Sequence, residues 1–421
     1  MGPLLTTHAW QTREPGGGKP SNNVGRASPI LRMEAQAARN EKERFEIQPV
    51  LSSALLDVAA FLHRCRRDQA AGIAVHSPSQ RVSESVLSIE RRLGWLLVEN
   101  PVAREDSVLG YCVRDRTGVI RGLNLCFPSA FLAGDQRLLG LCSGSFFVEP
   151  DARSMGFYLF KKYLSTPGYS FLFATTCNAY SEPLWRMLGG RAVPDSETEY
   201  ILPLRLDVMI PAFVATRTSS EIASEIARIA GRCANPVLRF LTRPSAALTI
   251  EPCQDWEKLS ELFHRHRSAN ISTDRSPEFL RWRYGPASPV HPGGVYLFRD
   301  KQGNEGWFAL GNLVRRHVRG PCLLDLIWPQ GKVSFKEIFP EILRFAAAGA
   351  DAFFFRRQPG LEYREYCPWA IPHRLEARTF VISPRGAPTM ALDSLDYDDN
   401  DYVAWIFHWQ MRDNIPGNYG V

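Results

Sequence analysis

The sequence predicts an α/β (α+β) chain of two similarly ordered units behind a polar tail, and three observations carry that prediction. From Phe45 onward, short apolar runs bounded by turn residues alternate with stretches of helical periodicity, the pattern of sheets layered with helices. The order of these elements occurs twice. Composition agrees: 421 residues exceed one ordinary domain, and 45% hydrophobic with 22% charged residues is a globular balance.

Residues 1–44 are rich in Gly, Pro, Asn and Arg, including Gly16-Gly17-Gly18-Lys19-Pro20, and read as a disordered tail, with Met33 a candidate start. Leu51 to Arg66 and Glu84 to Leu97 have helical spacing. Arg116-Thr117-Gly118 then joins two alternating runs as a hairpin, with Gly supplying a positive φ. Leu138 to Val148 reads as a long strand, Pro150 to Gly156 as a turn, Phe157 to Leu164 as a helix and Phe171 to Thr175 as a strand. Ser181 to Leu188 is a short helix stopped by Gly189-Gly190, and Glu199 to Leu206 is expected to close the sheet. Ser219 to Thr242 reads as a connecting helix.

Beyond it the order repeats. Trp95 precedes Asp115-Arg116-Thr117-Gly118 by 20 residues, and Trp282 precedes Asp300-Lys301-Gln302-Gly303 by 18. Strand Cys322 to Trp328, turn Pro329-Gln330-Gly331, helix Phe335 to Ala347 and strand Ala352 to Arg356 follow. The expected division is a tail at 1–44, a first unit at 45–215, a connecting helix at 216–244 and a second unit at 245–421.

Charge and cysteine usage narrow the function classes. Fifty Lys+Arg against 44 Asp+Glu give +6, without the dense basic stripe of a nucleic-acid binder, so nucleic acid is not expected as a partner. Nine scattered cysteines form no CxxC pair and no zinc spacing, reading as reduced, mostly buried thiols of a cytoplasmic protein without a metal. Asp396 to Asp401 lacks the spacing of a calcium loop and reads as an exposed acidic turn. No stretch is apolar enough for a membrane span.

The informative stretch runs from Phe147 to Tyr158: a strand, a turn and a helix start. Amides at a helix N-terminus are unpaired at the positive end of the dipole and can hold a pyrophosphate; Gly156 would let the backbone come close and Arg153 would add charge. An ordinary strand-to-helix connection has the same pattern. Val148-Glu149-Pro150 with Arg153-Ser154-Met155-Gly156 resembles the Gcn5-related N-acetyltransferases, whose loop reads (Q/R)-x-x-G-x-(G/A) after a strand ending V-x-P. Downstream, Asn178, Ser181, Trp185 and Gly189 stand where that family has an Asn, a small residue, an often catalytic Tyr and a Gly. The resemblance covers Leu51 to Leu206. More loosely, Trp95, Asn100-Pro101 and Leu280 to Tyr284 resemble tandem members associated with bacterial polysaccharide and envelope synthesis.

The resemblance implies two tandem units, each a mixed, largely antiparallel sheet flanked by helices, and an acyl-CoA co-substrate. Backbone groups near Phe147 and Val148 would pair with pantetheine. Amides of Arg153, Ser154, Met155, Gly156, Phe157 and Tyr158 would take the pyrophosphate, and Asn178 would lie beside the cofactor. Tyr158 replaces the family's last Gly/Ala, and Trp185 replaces its Tyr. An indole N–H is too weak an acid to protonate a thiolate, which leaves Tyr180 as the candidate acid or a packed aromatic with a wet tip. No general base is visible between Leu138 and Val148, and Cys142 has no partner at a known nucleophile spacing. Lys332 and the patch Arg315-Arg316-His317 with Arg319 read as solvated charges, and the second unit as non-catalytic.

Three functions stay open at this point. One is an acyl-CoA-dependent N-acyltransferase, acetyl in the first instance, acting on an amine of a sugar, envelope precursor or small metabolite. The second is a binding or scaffold protein that keeps the fold. The third is a Fem-type transferase using aminoacyl-tRNA, which would require salt-sensitive RNA binding.

Overall fold

Helices cover both faces of two mixed sheets in the computed structural model, which describes residues 44–72, 85–104, 107–215, 218, 220–241, 248–267, 271–288, 294–315, 318–347, 349–356, 369–375 and 378–382. The tail at 1–44 apart from Arg44, the acidic turn at Asp396 to Asp401, and Arg316-His317 of the basic patch lie outside them. From Phe45 onward the chain forms one compact unit.

The strands in chain order are β1 (Phe45–Val50), β2 (Gly110–Asp115), β3 (Ile120–Ala133), β4 (Gln136–Val148), β5 (Phe171–Cys177), β6 (Arg191–Ala192), β7 (Thr198–Pro203), β8 (Thr249–Pro252), β9 (Ser272–Thr273), β10 (Gly294–Arg299), β11 (Glu305–Arg315), β12 (Val318–Ile327), β13 (Ala352–Arg356), β14 (Ile371–Arg374) and β15 (Arg378–Ile382). The helices are α1 (Leu55–Gly72), α2 (Val86–Leu93), α3 (Met155–Leu164), α4 (Glu182–Met187), α5 (Leu206–Ala215), α6 (Glu221–Leu241), α7 (Trp256–His266), α8 (Pro277–Tyr284) and α9 (Phe335–Ala346). Among the described residues no helix is long and apolar enough to cross a membrane.

The first sheet runs β1-β2-β3-β4-β5-β15-β6, with β9 added beside β3; the second runs β8-β10-β11-β12-β13-β7-β14. Both have one parallel pair, β4 with β5 and β12 with β13, and antiparallel neighbours elsewhere. The two sheets therefore share one order and one set of senses. They also exchange a strand. Expected to close the first sheet, β7 instead pairs with β13 and β14 in the second, and β15 from the far end of the chain fills its place beside β5.

The repeated hairpin has one chemical cause. Asp115 Oδ1 accepts from the amides of Thr117 (2.9 Å) and Val119 (3.1 Å), and Asp300 Oδ1 accepts from Gln302 (2.9 Å) and Asn304 (2.8 Å). Gly118 and Gly303 take φ of 83° and 82°, a region costly for side chains with a Cβ.

Packing follows the apolar periods. Val58, Phe61 and Leu62 of α1 and Ile89 and Leu93 of α2 cover one face of the first sheet with Trp95. Phe160 and Tyr163 of α3 and Trp185 of α4 cover the other. Phe335, Ile338, Phe339 and Ile342 of α9 cover one face of the second sheet, and α7, α8 and Trp307 form another core.

Candidate functional site

The site is built where β4 and β5 part. These strands are parallel partners only at Gly140–Phe171, Leu141–Leu172 and Cys142–Phe173, whereas β4 stays paired with β3 as far as Val148. Residues 144–148 thus border a gap on their β5 side. At the parting point the Phe173 N–H donates to Tyr163 Oη at 3.1 Å, and Tyr163 donates to Leu141 O at 2.7 Å, so a side-chain hydroxyl stands between the two backbones. Burial pushes the Tyr163 phenol well above its ordinary range, keeping it a donor.

Across the same stretch the β3–β4 register shifts between Leu123 and Leu125, a β-bulge. Ser145 sits in it with φ of 52°, a left-handed conformation that serine adopts only under constraint from its surroundings. Among the described residues the buried Ser145 Oγ and Asn124 Nδ2 have no hydrogen-bond partner, while Asn124 Oδ1 accepts from Ser143 Oγ at 2.7 Å. The chain leaves these two polar atoms to a water or a ligand.

Past the gap, the Glu149 N–H donates to Arg121 O at 2.8 Å. Alternation then turns the backbone groups of Phe147 toward β3 as well and leaves those of Val148 facing the gap. Of the two positions expected near a pantetheine, Val148 thus turns its backbone groups to the gap and Phe147 turns its own to β3, with the Phe147 ring packed edge-on against Phe61 at 6.0 Å. Glu149 anchors the strand end, receiving Arg64 and Arg121, each at 3.0 Å. Each of its oxygens thus accepts from a guanidinium, which clamps the end of β4 to α1 and β3.

A short turn, Pro150–Ala152, leads into α3. Its N-cap, Ser154, makes no side-chain capping bond. The corresponding α9 is closed: Ser334 accepts from Lys336 N at 3.2 Å, and the Glu337 carboxylate accepts from Ser334 N at 2.9 Å, a capping box. The start of α3 thus carries no side-chain cap, although its Gly156 N–H already donates to Arg153 O at 3.1 Å, while the start of α9 is filled by its own chain, and Lys332 beside it is exposed. Arg153 is exposed at the open end and enters no ion pair among the described residues.

The chain itself does not require Gly156. A Cβ there would meet Val148 Cγ2 at 3.6 Å and Phe146 Cζ at 3.7 Å, ordinary contacts. Glycine in a helix costs roughly 0.5–1 kcal/mol against alanine, so its use here fits close approach by something outside the chain. Met155 is buried beneath this turn, and Phe157 (41% exposed) and Tyr158 (37% exposed) stand edge to face at 5.9 Å on its outer side.

Asn178 does not reach into the gap through its oxygen. Its Oδ1 accepts from the amides of Tyr180 (3.1 Å) and Ser181 (3.2 Å) ahead of α4, an Asx-type turn. Tyr180 is 92% exposed and its ring stands in solvent. Trp185 is core, 2% exposed against Phe160 and Phe380. Cys142 is buried as well, and burial pushes the Cys126 and Cys177 thiols far up, consistent with packing roles. Sequence reasoning missed Tyr163, Ser145 and Asn124: the first reads as a core position of a helix, and the other two as ordinary strand residues.

No family model matches the chain, and no curated protein matches its sequence. Solved structures do. A conserved protein from Enterococcus faecalis V583, described as a probable N-acyltransferase, superposes with a TM-score of 0.50 at 10% identity, covering 81% of this chain and 73% of that one. The protein has a Gcn5-related N-acetyltransferase-like fold. A GCN5-related N-acetyltransferase from Anabaena variabilis ATCC 29413 matches at TM-score 0.49 and 11% identity (81% and 73% covered). Saccharomyces cerevisiae N-myristoyltransferase with bound myristoyl-CoA matches at 0.48 and 12% (82% and 80% covered). At these identities the likeness is one of fold.

Proposed function

We propose that the protein is a cytoplasmic, acyl-CoA-dependent N-acyltransferase, with acetyl as the first donor to test and an amine of a sugar, envelope precursor or small metabolite as acceptor. One observation carries the reading: the β4–β5 gap opens beside an uncapped α3 whose Gly156 the chain itself does not need. In that reading Val148 offers backbone groups to the pantetheine arm, and the first amides of α3 with Arg153 hold the pyrophosphate. Bound acyl-CoA would supply an activated thioester carbonyl. The chain would orient it and exclude water, with Tyr163 holding the strands apart. With Glu149 held by two guanidinium groups, the acceptor amine would enter neutral; as its nitrogen bonds the acyl carbon and the C–S bond breaks, it would shed a proton to solvent, from which the departing thiolate would be protonated. The division into units at 45–215 and 245–421 belongs to the same reading, with β7 and β15 exchanged between the two sheets and the closed α9 marking the second unit as the acceptor side.

A binding protein that keeps the fold without turnover is the second reading, favoured by the outward Tyr180 and the buried Trp185. Calorimetric titration of the full chain with acetyl-CoA tests both. Micromolar binding that Gly156→Glu abolishes supports the cofactor site, and turnover in an amine screen then separates enzyme from binder. Absence of binding by the wild type rejects the acyl-CoA reading.

A further inference from the structure

The hairpin of α5 and α6 presents an apolar stripe that its own packing does not use. The inner face of α6 is fixed tightly. A Cβ on Gly231 would lie 2.4 Å from Leu206 O, so the helices cross at backbone contact. Asn235 accepts from Leu206 N at 2.8 Å and donates to Asp207 Oδ1 at 2.9 Å. On the face away from this contact, Ile222, Ile226 and Ile229 are 75%, 63% and 54% exposed, at the i, i+4, i+7 spacing of one helical stripe. Three adjacent isoleucines left to water on a rigid element are the mark of an interaction surface.

The charges beside the stripe say what fits. Along one flank run Glu221, Glu225, Arg228 and Arg232, all exposed, acidic toward the N-terminus and basic toward the C-terminus. We propose that α6 packs antiparallel against α6 of a second copy, about a two-fold axis between Ile226 and Ala227. Reversal of the helix turns the order acid-acid-base-base into its complement. Glu225 then faces Arg228, and Glu221 faces Arg232, in both halves. An antiparallel two-fold brings the charged flanks together on the same side of the pair, whereas a parallel one sets them on opposite sides, where they would not meet. Within one chain Arg228 binds Glu225 at 2.7 Å, an exposed pair that can be shared with the partner. The proposal is independent of the acyl-CoA reading.

Sedimentation of the full chain over a wide concentration range tests it. The wild type should dimerise reversibly and Ile226→Asp should be monomeric, with circular dichroism showing that both are folded. Glu225→Arg and Arg228→Glu should each weaken the dimer by roughly tenfold, and the double exchange should restore it, because each new charge meets its complement across the axis. Ile226→Cys should cross-link to its mate on oxidation. The native Cys233 should not, since its mate lies 13 residues away along the axis, about 20 Å at 1.5 Å per residue. A wild type monomeric up to hundreds of micromolar, or a double exchange no better than the single ones, overturns the proposal.

Discussion

Trp95 and Trp282 stack with ring centroids 4.7 Å apart and planes 25° from parallel. Each indole donates to the other's carbonyl, Trp95 Nε1 to Trp282 O at 3.3 Å and Trp282 Nε1 to Trp95 O at 3.1 Å. Such an exchange is the contact of a local two-fold, in which equivalent residues give and receive the same bond. It ties the turn after α2 to α8. Together with the crossing of β7 and β15 into each other's sheets, it makes the two halves fold as one body.

Trp95→Phe and Trp282→Phe each remove one donor and the hydrogen bond it makes while keeping most of the ring. Each should lower stability by about 1–3 kcal/mol. The double variant should cost less than the sum, because the two bonds and the stack are one interaction. Urea unfolding of the four proteins measures this coupling; additive costs would mean that the indoles act independently.

Tyr163→Phe preserves the packing against Phe160 and Trp185 and deletes the hydroxyl between Leu141 and Phe173. Three buried backbone groups, Leu141 O, Phe173 O and Phe173 N–H, lose this contact, at about 1–3 kcal/mol for each left unpaired. A smaller loss would show that the strands close and pair directly. In that case acetyl-CoA binding should weaken, since the gap narrows, and thermal melts with calorimetry on the same sample separate the two outcomes.

Stability should fall at both pH extremes for identifiable reasons. The Thr117 hydroxyl and then the Arg121 guanidinium hold the Asp115 carboxyl well below the usual range. Below about pH 4 the unfolded chain binds a proton there that the folded one refuses, so this stabilisation is present above that pH and lost beneath it. Asp115→Asn should flatten the acid limb of melting temperature against pH. On the alkaline side, the buried Cys126 and Cys177 thiols stay protonated when folded and ionise near pH 8.5 when unfolded, so stability falls above about that value. Cys126→Ala should melt lower throughout but lose less between pH 8 and 10.

What could be read from the sequence was local. Asp115 and Gly118, like Asp300 and Gly303, dictate their turns with their own side chains and dihedrals, and β13 falls where its apolar run stands. The destination of β7 could not be read, because alternation fixes which side of a strand is buried and not which sheet accepts it. The stretch from Val148 to Gly156 singled out a candidate site through its loop pattern. The gap beside it rests on Tyr163, fifteen residues past Val148, whose hydroxyl acts between two backbones that no sequence period brings together.

Gly156 gives the sharpest separation of fold from function. Its φ is not left-handed, and a methyl group has room against Val148 and Phe146. Gly156→Ala should therefore leave the melting temperature unchanged or raise it, with a gain of up to about 1 kcal/mol from helix propensity. If the first turn of α3 cradles a pyrophosphate, the same methyl group stands where the ligand must approach the amides, and acetyl-CoA affinity should drop by about tenfold or more, equivalent to at least about 1.4 kcal/mol. A protein made more stable and less able to bind by one methyl group is what a ligand-bearing helix start predicts. Unchanged affinity in Gly156→Ala, with a wild type that does bind, would move the phosphate contacts away from α3 and onto other cationic groups.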